Sequence, residues 1–122
     1  MKKIIIALLL IASYVVMADH GWQRVNYMQS TIFSAEVTLN AIPAKQGDVV
    51  GAFVQNECRM IAPIFIVDNK AYVSSVIHGD AQEQVEFRLW MHQKDSIVVL
   101  SNTVTTNPGG SLLNYSLPFV LH

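Results

Sequence analysis

The sequence predicts an all-β fold, an antiparallel β-sandwich, immunoglobulin-like or jelly-roll-like, of about seven strands. Three observations predict it. Short runs rich in Val, Ile, Thr and aromatic residues recur along the chain. Turn residues close each run, about every eight to twelve residues. After the first 18 residues, no stretch keeps an apolar stripe at the helical period.

The elements follow in order. Residues 31–39 alternate, with Phe33, Val37 and Leu39 assigned to the core face. Residues 40–47 read as a loop punctuated by Pro43 and Gly47. Residues 48–54 form a second strand, apolar on both faces. Gln55-Asn56 suits a two-residue hairpin turn, because Asn tolerates positive φ. Residues 58–67 make the next strand, interrupted by Pro63, which cannot donate to a ladder and so marks an edge or a bulge. Asp68-Asn69-Lys70 is a tight turn, and 71–77 a strand. Residues 84–92 alternate cleanly, with Val85, Phe87, Leu89 and Met91 opposite Glu86, Arg88 and Trp90. Residues 97–105 form a further strand, residues 107–110 break the chain, and 112–121 form the last apolar run.

The first 18 residues stand apart from this pattern. Lys2 and Lys3 precede an apolar run over 4–16, and Ala18 supplies a small residue after it. A positive start, a short apolar run and a small-residue exit are the marks of a secretory signal peptide. The run is shorter than the ~20 residues a spanning helix needs. The expected organisation is a signal peptide over 1–18 and a single β-sandwich domain over 19–122. The expected location is secreted: extracellular, cell surface or periplasm, with the membrane touched only during export.

Charge excludes one class of partner. Eight Lys plus Arg stand against nine Asp plus Glu, with no basic patch, so nucleic acid is not expected as a ligand. Catalytic and metal signatures are absent from the sequence. There is no Gly-x-Ser-x-Gly elbow. His20, His78, His92 and His122 lack metal-ligand spacing, and Asp80 with Glu83 falls short of a calcium loop. Neither a cofactor nor an enzymatic activity is expected. Cys58 is the lone cysteine and has no internal disulfide partner. It reads as a small buried apolar residue, the alternative being a reactive or bridging thiol.

Aromatic side chains remain as candidate ligand contacts, since a flat ring can stack on a sugar or fill a partner's pocket. The candidates are Trp22, Tyr27, Tyr72, Trp90 and Tyr115. Trp90 shares a strand face with Glu86 and Arg88, so partial exposure is expected, the alternative being a second small core. The candidate ligand-binding set is Trp90, Arg88, Glu86, Trp22 and Arg59. Asp48, Glu57 and Arg59 cluster in the sequence, as a local ion-pair set or as a polar clasp for a ligand. These residues leave a binding or structural module as the expected function. A carbohydrate-binding domain and a self-assembling surface or fibre subunit are the alternatives. An extracellular glycan or protein is the expected partner, and an oligomer is compatible.

The stretch Gly47-Asp48-Val49-Val50-Gly51-Ala52-Phe53-Val54-Gln55-Asn56-Glu57-Cys58-Arg59 resembles a GD-x-x-GAFV-x-x-ECR hairpin. That hairpin belongs to a β-sandwich module of secreted and cell-surface proteins of Bacteroidota and related bacteria. Ala71-Tyr72-Val73, Ile77-His78-Gly79-Asp80 and Val85-Glu86-Phe87-Arg88-Leu89-Trp90 are similar to its later strands. Met60 departs from the module, which carries Gly there. The resemblance implies a surface-exposed β-sandwich without established activity.

Overall fold

The computed structural model describes residues 20–119. The proposed signal peptide and cleavage site, and His122, lie outside these residues. The described chain is all-β: β1 (Ser30–Leu39), β2 (Ile42–Pro43), β3 (Val49–Val54), β4 (Glu57–Pro63), β5 (Phe65–Val67), β6 (Lys70–His78), β7 (Gln84–Met91), β8 (Ser96–Thr105) and β9 (Ser111–Phe119). Two sheets pack face to face. One orders its strands β2-β1-β6-β5, with β9 on the other edge of β1; the second orders them β4-β3-β7-β8.

Turn chemistry explains the hairpins. Gln55 and Asn56 both take positive φ (49° and 68°), as do Asp68 and Asn69 (50° and 64°). Paired positive φ is the type I′ turn, whose twist matches that of the flanking strands. Asn40 and Ala41 do the same (53° and 64°), creating the β1–β2 hairpin where a loop was expected.

Three further features differ from the expectation. The strand expected over 58–67 is two strands in different sheets. Pro63 ends β4, and Ile64 turns the chain across the sandwich, its N–H held by the Asp48 carbonyl at 2.9 Å. Among the described residues the strands number nine rather than about seven. The third concerns direction: β9 runs parallel to β1, while every other ladder is antiparallel. The segment after β8 is bonded to the start of β1, through Gly109 N to Ser30 O and Ile32 N to Gly110 O, both 3.0 Å. β9 therefore begins beside the beginning of β1 and follows its direction.

The core lies between the sheets. Phe33, Ala35 and Val37 of β1 and Val73 and Ile77 of β6 face Val50 and Ala52 of β3, Met60 of β4, and Val85, Phe87 and Leu89 of β7. Phe33 and Phe87 stack at its centre, ring centroids 4.9 Å apart and planes 20° apart. Each buried Val, Ile, Leu, Met or Phe among them contributes about 1.5–3 kcal/mol by leaving water. Leu39, expected on this face, is only half-buried near the end of the sandwich.

Candidate functional site

The outer face of the β4-β3-β7-β8 sheet holds most of the residues singled out from the sequence. Trp90 is 8% exposed, so the expected partial exposure is corrected. Residues 20–27 fold back across this face and cover it. The Val25 N–H donates to the Cys58 carbonyl at 2.8 Å, adding the segment to β4. His20 sits between the two indoles, 4.8 Å from Trp22 and 5.8 Å edge-on to Trp90. Trp22 packs edge-on against Phe53 at 5.2 Å. Trp90 donates from Nε1 to Asp95 Oδ1 at 2.9 Å.

Gly51 makes this docking possible. A Cβ there would stand 2.6 Å from the Phe53 ring and 2.9 Å from the Trp22 ring. Cys58 is buried on this sheet, and burial pushes its thiol pKa up, which keeps it protonated and unreactive. Arg88 lies over the Phe53 ring at 4.0 Å and bonds Glu86 and Asn56, each at 2.6 Å. Trp90, Arg88, Glu86 and Trp22 are thus brought onto one face. Its aromatic members are spent on holding the N-terminal segment.

Arg59 belongs to a separate cluster. Its guanidinium is buried and bonds Glu57 (2.6 Å), Glu83 (3.0 and 3.3 Å) and the His78 carbonyl (3.1 Å). The Tyr27 ring covers it at 4.2 Å, and the Tyr27 hydroxyl donates to Glu57 at 2.5 Å. Burial works against the Arg59 charge, and the bonds to Glu83 and Glu57 more than offset it. The cluster staples the N-terminal segment, β4 and the loop before β7 together. Of the two readings of Glu57 and Arg59, the geometry is that of the ion pair.

Asp48 is not in that cluster, because the antiparallel β3–β4 hairpin puts it at the open end, away from Glu57 at the turn. Buried Asp48 accepts instead from Lys45 N (3.0 Å), His92 N (3.2 Å) and His92 Nδ1 (2.7 Å). This pairing spans 44 residues and has no local signature.

The Glu57 carboxyl lies below its ordinary value of 4.5, held there first by the Tyr27 hydroxyl and then by Arg59. A depressed folded-state pKa contributes stability above the unfolded value, and that contribution is lost as pH falls through the folded one. Lowering the pH from about 7 to about 3 should therefore shift the urea midpoint more in the native protein than in Glu57→Gln. Equal shifts would show that this carboxylate adds nothing to folding.

The opposite face of the sandwich is open. A trough of about 470 Å³ runs over the outer surface of the β1–β6 sheet. Strand register builds its floor: Ser34 lies opposite Ser74, and Glu36, Tyr72 and Phe65 form one row across three strands. Phe65 and Val67 on edge strand β5 make one wall. The backbone of β9 at Asn114 and Tyr115 makes the other, while the Tyr115 ring itself turns inward, paired with Ala35 and 6.0 Å from the Phe33 ring. A bulge sets the second wall. Asn114 takes φ 61° and bonds through its N–H to Ser34 Oγ at 3.1 Å, breaking the register between the partners of Phe33 and Ala35. Phe65 is 44% and Tyr115 40% exposed. Tyr72 and Tyr115 were among the candidate aromatics, and Phe65 was not. Its signal was Pro63 itself, which ends one strand so that the apolar run over 64–67 can begin another.

The fold defines a two-sheet β-sandwich with one outer face covered by its own chain and the other carrying an aromatic-walled trough. No protein-family model, curated protein or solved structure matches the chain.

Proposed function

We propose that this chain is an exported, non-catalytic binding module whose trough takes an extracellular glycan. The observation that carries the reading is the trough itself. Phe65 and Tyr72, rings 5.9 Å apart, stand beside two serine hydroxyls and the Glu36 carboxylate. Rings stack on the apolar face of a sugar, and hydroxyls and a carboxylate bond its equatorial hydroxyls. Glu36 is the one carboxylate among the lining residues. Glycoside hydrolysis ordinarily uses two, so the chemistry favours binding over cleavage. Export rests on the leader-like pattern of residues 1–18, and a surface role agrees with the resemblance of the Gly47–Arg59 stretch.

Titration calorimetry with a panel of neutral oligosaccharides tests this. Phe65→Ala and Tyr72→Ala should each weaken binding about tenfold or more, as ring anchors do at interfaces. Both rings lie on the outer face, so stability should change by about 1 kcal/mol or less, whereas Tyr115→Ala, which removes a ring beside Phe33, should cost more. A second reading comes from β5, an edge strand on which Phe65, Ile66 and Val67 are all exposed. Such an edge can pair with another copy of the chain. A molecular mass that rises with concentration in sedimentation, with no response to any sugar, would replace the glycan reading with assembly.

A further inference from the structure

A second cavity opens at the end of the sandwich where the β1–β2 turn faces the β7–β8 turn. It measures about 270 Å³ and shares no residue with the trough. Its interior is apolar. Leu89 reaches it from the core, and Leu39, Ile42, Pro43 and Met91 line it. Ile42 is 63% exposed, a large aliphatic side chain left at an open mouth.

Two cations stand at that mouth, Lys45 and Lys94. Neither makes an ion pair among the described residues. The Lys45 Nζ donates to Gln93 Oε1 at 3.2 Å, which links the two lips of the opening. The one carboxylate in the lining is Asp48, and its oxygens already accept from Lys45 N and from the backbone and ring of His92. The site therefore presents an apolar interior with two lysines at its mouth against one hydrogen-bonded carboxylate, a net positive charge.

We infer that this cavity binds a small amphipathic anion, an aliphatic carboxylate with its tail against Leu39, Ile42, Leu89 and Met91 and its headgroup between Lys45 and Lys94. Size supports a small ligand, since the volume falls just below the ~300–1,000 Å³ typical of drug-sized ligand pockets. Apolar contact supplies affinity there, and the two ammonium groups supply orientation and the preference for an anion.

Methyl-resolved NMR on the full chain tests this with three probes, each below any micelle-forming concentration. Octanoate carries tail and charge, octanol the tail alone, and acetate the charge alone. Octanoate should give saturable shifts at Leu39, Ile42, Leu89 and Met91. Octanol should bind more weakly, and acetate should leave those methyls unmoved. Reversing both charges in K45E/K94E should weaken octanoate about tenfold while leaving octanol unchanged, the scale of two exposed ion pairs and their reversal. Ile42→Trp should fill the mouth and abolish both responses; the position is exposed, so the melting temperature should hold. The inference is overturned by shifts that never saturate or that scatter over the surface. It is equally overturned by octanol binding as tightly as octanoate, or by octanoate affinity that survives the charge reversal.

Discussion

Phe87→Ala is expected to lower the unfolding free energy by about 3–5 kcal/mol, the range for removing a fully buried phenylalanine. Phe87 has no exposed surface and stacks on Phe33 of the opposite sheet. It sits on β7, which is flanked by β3 and β8 and so has no free edge through which to relax. The ring's removal leaves a void bounded by two rigid ladders, and the cost grows with the void that cannot collapse. A domain of this size has about 5–15 kcal/mol in total, so the variant should be largely unfolded at modest denaturant. Phe87→Leu should recover most of the loss, because it restores volume without the ring. Guanidinium unfolding followed by circular dichroism reads both. A loss under about 1.5 kcal/mol for Phe87→Ala would mean that the two sheets are not locked together at this stack.

The positions of the strands were legible because a period of two and paired turn residues are local signals. Gln55-Asn56 and Asp68-Asn69 mark tight turns by residue type, since Asn tolerates positive φ. Asn40-Ala41 does not, since Ala rarely takes positive φ, and β2 is too short to show alternation. The parallel β9 and the sheet switch at Ile64 were illegible for a different reason: they depend on hydrogen bonds between segments far apart in the chain. Trp90 shows the same limit at one residue. Alternation assigns it to the face opposite Phe87, and it is on that face. What covers the face is residues 20–27, which carry no periodic pattern of their own. The trough was partly hidden because its walls come from β5 and β9, at the two edges of one sheet.

The Gly47–Arg59 stretch acquires a physical account from this covering. Gly51 leaves room for Trp22, and Phe53 offers it an edge-on ring. The Cys58 carbonyl accepts from Val25, and Glu57 with Arg59 holds Tyr27. At the other end Asp48 anchors the loop to His92. Most of the stretch's distinctive residues are therefore a bed for the N-terminal segment, which is why a hairpin with several charges and a buried cysteine binds its own chain.

Trp90→Ala is the sharpest test of that account, with an expected loss of about 3 kcal/mol, at the lower end of the range for a buried tryptophan. The lower end applies because the cover is one chain segment, able to move, where Phe87 is enclosed by two sheets. The substitution removes the bond to Asp95 and the ring against which His20 packs. It also leaves Trp22 as the single tryptophan of the chain, so the variant reports on its own arm. Trp22 fluorescence should shift toward that of a water-exposed indole while circular dichroism still shows a folded sandwich. Trp22→Ala should give the converse, a smaller loss of stability with Trp90 emission shifted the same way. An unchanged melting temperature with Trp22 emission still that of a packed ring would mean that the arm docks without Trp90. The indole would then be free for a ligand, and the outer face of β3 and β7 would compete with the trough as the binding surface.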